Sequence, residues 1–250
     1  MSVIDDLLLS IRQDSPDVPV REVWVGLHWT AVHSLNLGLA ATLHETDCRK
    51  TGDVSGAGLL LERSAHELAA YLRSENRLEV SIGMAALNSL AVVDEERVAE
   101  LNARELLLRR GRNKNVALVG HFSFTEVLRE AAAQLWVLEL RPGPGDWPAE
   151  AAPELIPQAD VIGLTATTLM NGTFDGLSRL FRPEALVVML GPSTPLSQVL
   201  FDHGVDVLSG TQVVDPTTTL RYIGQGGSLR QVPGIRRLNI ARDHSVWADI

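Results

Sequence analysis

The sequence predicts an α/β protein: a small α+β domain over residues 1–110, then a Rossmann-like parallel sheet with helices on both faces over residues 111–250. Three observations carry this. Asn115-Val-Ala-Leu-Val-Gly-His-Phe-Ser-Phe-Thr-Glu126 reads as strand, tight turn and helix start, with Ser123 and Glu126 in capping-box spacing. From Val116 onward, short apolar runs alternate with helix-periodic stretches, the pattern of a parallel sheet with right-handed crossovers. The preceding part holds two β-type runs followed by helices, without that alternation.

Residues 3–11 are apolar at helical spacing with Asp5 and Asp6 in the first turn, where negative charge suits the helix dipole. Ser15-Pro-Asp-Val-Pro19 ends that helix. Residues 22–33 and 35–43 read as two strands of a hairpin, and the Gly-rich stretch 45–58 as loop. Ser64 and Glu67 form a second capping box, opening a helix to about Arg73. Asn76 caps another over residues 77–92, apolar all round and therefore buried on more than one side, with Asn88 as an interior amide. A charged helix over 94–110 leads to the boundary at Gly111. Strands follow at 116–119, 135–140, 161–165, 185–190 and 205–208, and helices at 124–133, 174–182 and 195–203. Five prolines make the connection at 141–159 irregular.

The net charge of −9 disfavours nucleic acid and anionic membranes as partners. With one cysteine, Cys48, the chain forms no internal disulfide, and the cytoplasm is the expected compartment. No apolar run is long enough to span a bilayer. The expected partner is a small molecule or a metal ligand, and assembly as a homo-oligomer is left open.

In an open parallel sheet, ligands bind beyond the carboxyl ends of the strands near the switch in strand order. Those ends carry Gly120, His121 and Phe122, then Glu139, then Thr165, Thr168 and Asn171, and finally Gly191, Pro192 and Ser193. Small and hydroxyl-bearing residues of this kind allow close approach of a ligand. Thr194 followed by Pro195 marks another helix N-terminus, and the N–H groups there and at Ser123 suit an anion. Glu139 stands where a ribose-binding acid belongs, about 20 residues past the first glycine. Only Gly120 of the dinucleotide glycine pattern is present, which weakens a standard NAD site. His121 is the candidate metal ligand and the candidate acid or base near neutral pH. The cofactor expected with it is a divalent or heavy-metal ion. His44, Asp47 and Cys48 form a second, local cluster of metal-type donors. No residue is assigned a catalytic role, since neither a nucleophile elbow nor a specific metal motif is present.

Six stretches resemble a prokaryotic family described as putative heavy-metal chelation proteins. They are Gly26-Leu-His-Trp-Thr-Ala-Val32, Leu78-Glu-Val-Ser-Ile-Gly-Met-Ala-Ala-Leu-Asn88, Val116-Ala-Leu-Val-Gly-His-Phe122, Asp160-Val-Ile-Gly-Leu-Thr-Ala-Thr-Thr-Leu-Met-Asn-Gly-Thr173, Leu190-Gly-Pro-Ser-Thr-Pro195 and Gly204-Val-Asp-Val-Leu-Ser-Gly210. The resemblance implies an enolase N-terminal-like domain joined to a Rossmann-like one, with a site in the cleft between them. On that reading His28 and Asn88 join the rim residues as ligand contacts. The expected function is binding of a small molecule, metal or metal chelate, with a metal carrier that lacks turnover as one form. The alternative is a nucleotide- or S-adenosylmethionine-dependent enzyme working through Glu139.

Overall fold

A computed structural model of the chain describes residues 2–44, 52–99 and 103–247. The chain forms two compact units. Met1–Asp94, Pro192–Val199 and Gly210–Leu238 make the first, and Glu95–Gly191, Leu200–Ser209 and Asn239–Ile250 the second. No described helix is long and apolar enough to cross a membrane.

The first unit opens with helix α1 (Val3–Asp14), whose cap Ser2 accepts a hydrogen bond from the Asp5 amide and whose Val3, Leu7 and Leu8 are buried. A three-stranded antiparallel sheet follows: β1 (Glu22–Val25), β2 (Trp29–His33) and β3 (Leu37–Ala41), in that order. The expected first strand is thus two, because the chain turns back at Gly26, whose N–H donates to the Trp29 carbonyl. Helix α2 (Ala65–Ala69) has the expected Ser64–Glu67 capping box, then tightens into a 3₁₀ turn through Arg73. Helix α3 (Arg77–Ser89) is capped by the Asn76 side chain and is buried along nearly its whole length.

Burial on two sides follows from where β3 sits. Its sequence, Leu-Gly-Leu-Ala-Ala, has no polar residue, so both of its faces need cover. Leu37 and Leu39 point one way, onto Leu220 and Ile223 of the amphipathic helix α10 (Pro216–Gly224). Gly38 points the other way, against the α3 backbone at Ala85 and Ser89. Alternation along a strand puts the two helices on opposite faces.

The second unit is built on an eight-stranded, mostly parallel sheet flanked by helices. Its strands are β4 (Val98–Ala99), β5 (Asn115–Val119), β6 (Gln134–Glu139), β7 (Trp147–Pro148), β8 (Val161–Thr165), β9 (Leu186–Leu190), β10 (Val207–Val213) and β11 (Ile235–Ala241). The order is β4-β11-β10-β9-β8-β5-β6-β7, and the chain crosses between units within β10 and within β11. From β5 the chain steps outward to β6 and β7, then returns to the other side of β5 and continues through β8, β9 and β10. Strand order therefore reverses between β5 and β8. All pairings from β7 through β10 are parallel. Val116, Leu118, Val137 and Val188 on the strands pack with Leu106 and Leu107 of α4 (Ala103–Arg110) and Leu128 of α5 (Thr125–Ala131). Burying each such side chain contributes about 2 kcal/mol. Short helices complete the unit: α6 (Ala152–Leu155), α7 (Thr167–Met170), α8 (Phe174–Ser178) and α9 (Val199–Asp202).

Two expected helices are shorter than their periodicity suggests. The one expected over 94–110 begins at Ala103, because Val98 and Ala99 instead pair antiparallel with Ile240 and Asn239 at the sheet edge. The one expected over 195–203 begins at Val199, and no helix starts at Thr194–Pro195.

Candidate functional site

The reversal between β5 and β8 places three strand ends side by side. Val119 closes β5, Glu139 closes β6 and Thr165 closes β8. Above them lies a cavity of about 630 Å³. Its floor and rim come from these strand ends, α6, α7 and α8, all within the second unit. That volume falls in the range of small-molecule sites. Six of the twelve candidate residues line it: Gly120, His121, Glu139, Thr165, Thr168 and Asn171.

Gly120 makes the turn possible. Its φ is +99°, and a Cβ there would lie 3.0 Å from Thr165 Cγ2. A larger residue would be strained in conformation and would push into β8. The next residue, His121, has a half-exposed side chain at the cavity edge. Its Nε2 meets both carboxylate oxygens of Asp146 at 2.9 Å. The Asp146 side chain is only 5% exposed and accepts a second bond from the Gly143 amide at 2.8 Å. The bond from His121, reinforced by the Gly143 N–H, holds the Asp146 carboxyl below the ordinary aspartate range against the opposing cost of its burial. A carboxylate that grips one ring nitrogen orients the imidazole and leaves its other nitrogen, Nδ1, for a ligand.

Asp146 is the residue that sequence reading misses. The Gly143-Pro-Gly-Asp146 turn, 25 residues beyond His121, carries the signal, since Gly143 and Asp146 close on each other. Spacing alone does not reveal which histidine such a turn will meet.

The hydroxyls on the β8 side are partly engaged with one another. Thr165 Oγ1 lies 3.1 Å from Thr167 Oγ1, and buried Thr168 donates to the Thr165 carbonyl. Asn171 accepts from the Thr173 amide and hydroxyl through Oδ1. The Glu139 side chain has no hydrogen-bond partner among the described residues, and Glu150 adds a second carboxylate to the lining. Among the described residues, no Lys or Arg lines the cavity.

The other six candidates are engaged differently. Phe122 stacks on Phe124, ring centroids 5.4 Å apart, beside the sheet core. His28 is exposed in the turn between β1 and β2. Gly191 donates its N–H to the Ser209 carbonyl, and the Pro192 carbonyl accepts from Thr211. Buried Ser193 accepts from the Ala41 amide at 2.8 Å. Asn88 donates from one amide nitrogen to the Leu39 and Ser193 carbonyls.

The expected anion sites also differ from expectation. Helix α5 starts one residue late, with Phe124 at the cap position and no side-chain cap, so Ser123 and Glu126 form no capping box. The Thr125 hydroxyl takes the Phe122 N–H instead. Thr194 heads no helix. Of the local His44–Cys48 cluster, residues 45–48 lie outside the described residues. Among the described residues no three His, Cys, Asp or Glu side chains come together as a metal ion would require.

Fold and cavity together define an α/β protein with a ligand-sized pocket at the switch point of a parallel sheet. The chain belongs to the DUF364 family. The model of that family, described as "putative heavy-metal chelation", matches residues 102–242. A companion model with the same description matches residues 6–91. An uncharacterized protein of Methanocaldococcus jannaschii is 25% identical over 194 residues, 75% of this chain and 74% of that one. Among solved structures, a DUF364 protein of unknown function from Desulfitobacterium hafniense is 26% identical and superposes with a TM-score of 0.81, covering 96% of this chain and 98% of its own. Another from Pyrococcus horikoshii, 21% identical, shares the fold at the same TM-score over 96% of this chain and 100% of its own.

Proposed function

We propose that the chain binds a small ligand in the β5–β6–β8 cavity, where His121, gripped by Asp146, is the group that meets it. The observation that carries this is the His121–Asp146 pair: a half-exposed imidazole held by a nearly buried carboxylate at the edge of a cavity of about 630 Å³. Fixing an exposed histidine costs side-chain entropy, and a ring aimed at a ligand is a reason to bear it. The same arrangement serves a general acid or base, or a neutral imidazole ligand to a metal.

The family description points to heavy metals, and the donor set can be tested against that. A soft ion favours thiolates and imidazoles, ordinarily three or four together. The cavity offers one imidazole with one nitrogen already engaged, two separate carboxylates and several hydroxyls. These described donors do not fit a bare heavy-metal ion. They suit a ligand that brings its own donors, such as an organic chelate with one open coordination position.

Two measurements test the proposal. Ligand-observed NMR of a fragment library should give binders to the wild type that are lost in Gly176→Phe, which fills the cavity from a position with nothing within 4 Å of its added Cβ. If no fragment distinguishes the two proteins, the cavity reading is wrong. For the chelate, copper(II)–iminodiacetate should broaden the amide signals of Gly120 and Thr165, and His121→Ala should abolish that effect. Equal broadening in both would remove His121 as the contact.

A further inference from the structure

We infer that the cavity takes a ribonucleoside unit carrying no phosphate, with the ribose diol accepted by Glu139. The inference rests on the reading of the cavity as a ligand site, not on the chelate, and gives the cavity's ligand a chemical class.

Position comes first. Glu139 is the last residue of β6, the strand beside β5, and lies nineteen residues after Gly120, the glycine that turns the chain out of β5. In open sheets that reverse order next to the first strand, an acid at this place accepts the ribose hydroxyls of a nucleotide. Spacing alone would be weak support. Here the structure adds that the side chain lines the cavity and has no hydrogen-bond partner among the described residues. A half-buried carboxylate without a donor leaves its acceptor capacity unmet, and two adjacent hydroxyls supply matching donors.

The surroundings then remove the phosphate. In a dinucleotide site, glycines after the turn let pyrophosphate rest on free N–H groups at a helix start. In this chain His121 and Phe122 occupy those places, and Phe122 turns its ring onto Phe124. The Phe122 N–H is already held by the Thr125 hydroxyl. Helix α5 has only seven residues, too few for a strong end dipole. Among the described residues the lining carries Glu139 and Glu150 and no Lys or Arg, and the Asp146 carboxylate lies behind His121. An anionic group brought here meets like charge in a partly desolvated space.

The apolar wall fits the remaining part of the ligand. Leu140 directly follows Glu139, lines the cavity and is 64% exposed. Pro153 and Leu180 face the same space. A flat, uncharged base placed beside a ribose on Glu139 would cover Leu140, giving that exposed side chain a contact surface.

Isothermal titration of the full chain with adenosine, guanosine, cytidine and uridine tests this. At least one should bind, and its 2′,3′-dideoxy analogue should bind at least about tenfold more weakly, the usual loss when a hydrogen bond to a charged group is removed. Glu139→Ala should weaken the nucleoside by a similar factor with an unchanged Tm, and the 5′-monophosphate should bind less tightly than the nucleoside. The inference is overturned if none of the four binds, if the dideoxy analogue or Glu139→Ala makes no difference, or if the monophosphate binds more tightly. Fragments that bind the wild type but not Gly176→Phe, alongside four inert nucleosides, would reject the nucleoside and leave the cavity reading standing. Absence of both would reject the two together.

Discussion

Two strand-end regions of this molecule look alike in sequence and behave oppositely in structure. Gly191-Pro-Ser193, with Asn88, and Gly120-His121, with Thr165, Thr168 and Asn171, both combine small, hydroxyl-bearing and amide residues. Around Ser193 the hydroxyl holds the Ala41 amide and the Asn88 amide nitrogen ties the Leu39 and Ser193 carbonyls together, while the buried Thr194 hydroxyl has no partner among the described residues. Around Gly120 a carboxylate with no partner among the described residues, a half-exposed imidazole and a cavity remain open. A polar turn becomes a candidate site through the hydrogen bonds it leaves unmade.

That contrast can be broken or sharpened by substitution. The largest effect is expected at Gly38, on the closed side, where an added Cβ would lie 2.1 Å from the Ala85 carbonyl oxygen and 2.2 Å from the Ser89 nitrogen. Both are backbone atoms of α3, so neither can rotate away. Gly38→Ala should cost about 3 kcal/mol and lower Tm by roughly 10 °C, read by differential scanning calorimetry. A variant as stable as wild type would mean that α3 lies farther from β3 than described.

Asn88→Ala comes next. It strips two buried carbonyls of their donor and should cost about 2 kcal/mol, while leaving fragment binding to the cavity unchanged. Loss of fragment binding with little loss of stability would make Asn88 a ligand contact and dissolve the contrast.

On the open side the effect moves from stability to titration. Because the Asp146 pKa is depressed in the folded chain, its contribution is complete above the ordinary value of 3.8 and is lost as pH falls through the lower folded value. The Asp146 carboxyl carbon should therefore titrate below 3.8 by NMR and move back toward it in His121→Ala. A titration that ignores the substitution would mean that the pair is not formed in solution.

The smallest effect is expected from Gly176→Ala, within α8 and with nothing near its added Cβ. Removing a helical glycine should stabilise the chain by about 0.5 kcal/mol. A marked destabilisation would mean that the space beside α8 is already filled.

Most of the second unit was legible in advance, because each parallel strand is a nearly continuous apolar run and Gly120 and Glu139 mark the ends of two neighbours. The capping box at Ser64–Glu67 and the Asn76 cap formed where local spacing placed them. The box at Ser123–Glu126 did not, since Thr125 closes the turn from inside the helix. The helix start expected at Thr194 yielded to Ser193 and its tertiary hydrogen bonds. Asp146 was hidden for a related reason: its partner is reached through a turn whose path no local pattern records. Pairing decided by tertiary approach is what one-dimensional spacing omits, and the same holds for Val98 and Ala99, which joined a strand from the far end of the chain.

The dispersed make-up of the first unit carries a consequence for how the protein is made. Leu37 and Leu39, near the start of the chain, are covered by Leu220 and Ile223 of α10. During synthesis that apolar face stays without its cover until the ribosome has added nearly two hundred further residues. The later-translated β5-to-β9 segment is contiguous and can collapse sooner. Each unit therefore waits on late residues, the first on α10 and the second on Asn239–Ile250. A stalled or shortened product ending before α10 would present a greasy half-built sheet, a natural target for chaperones and proteases.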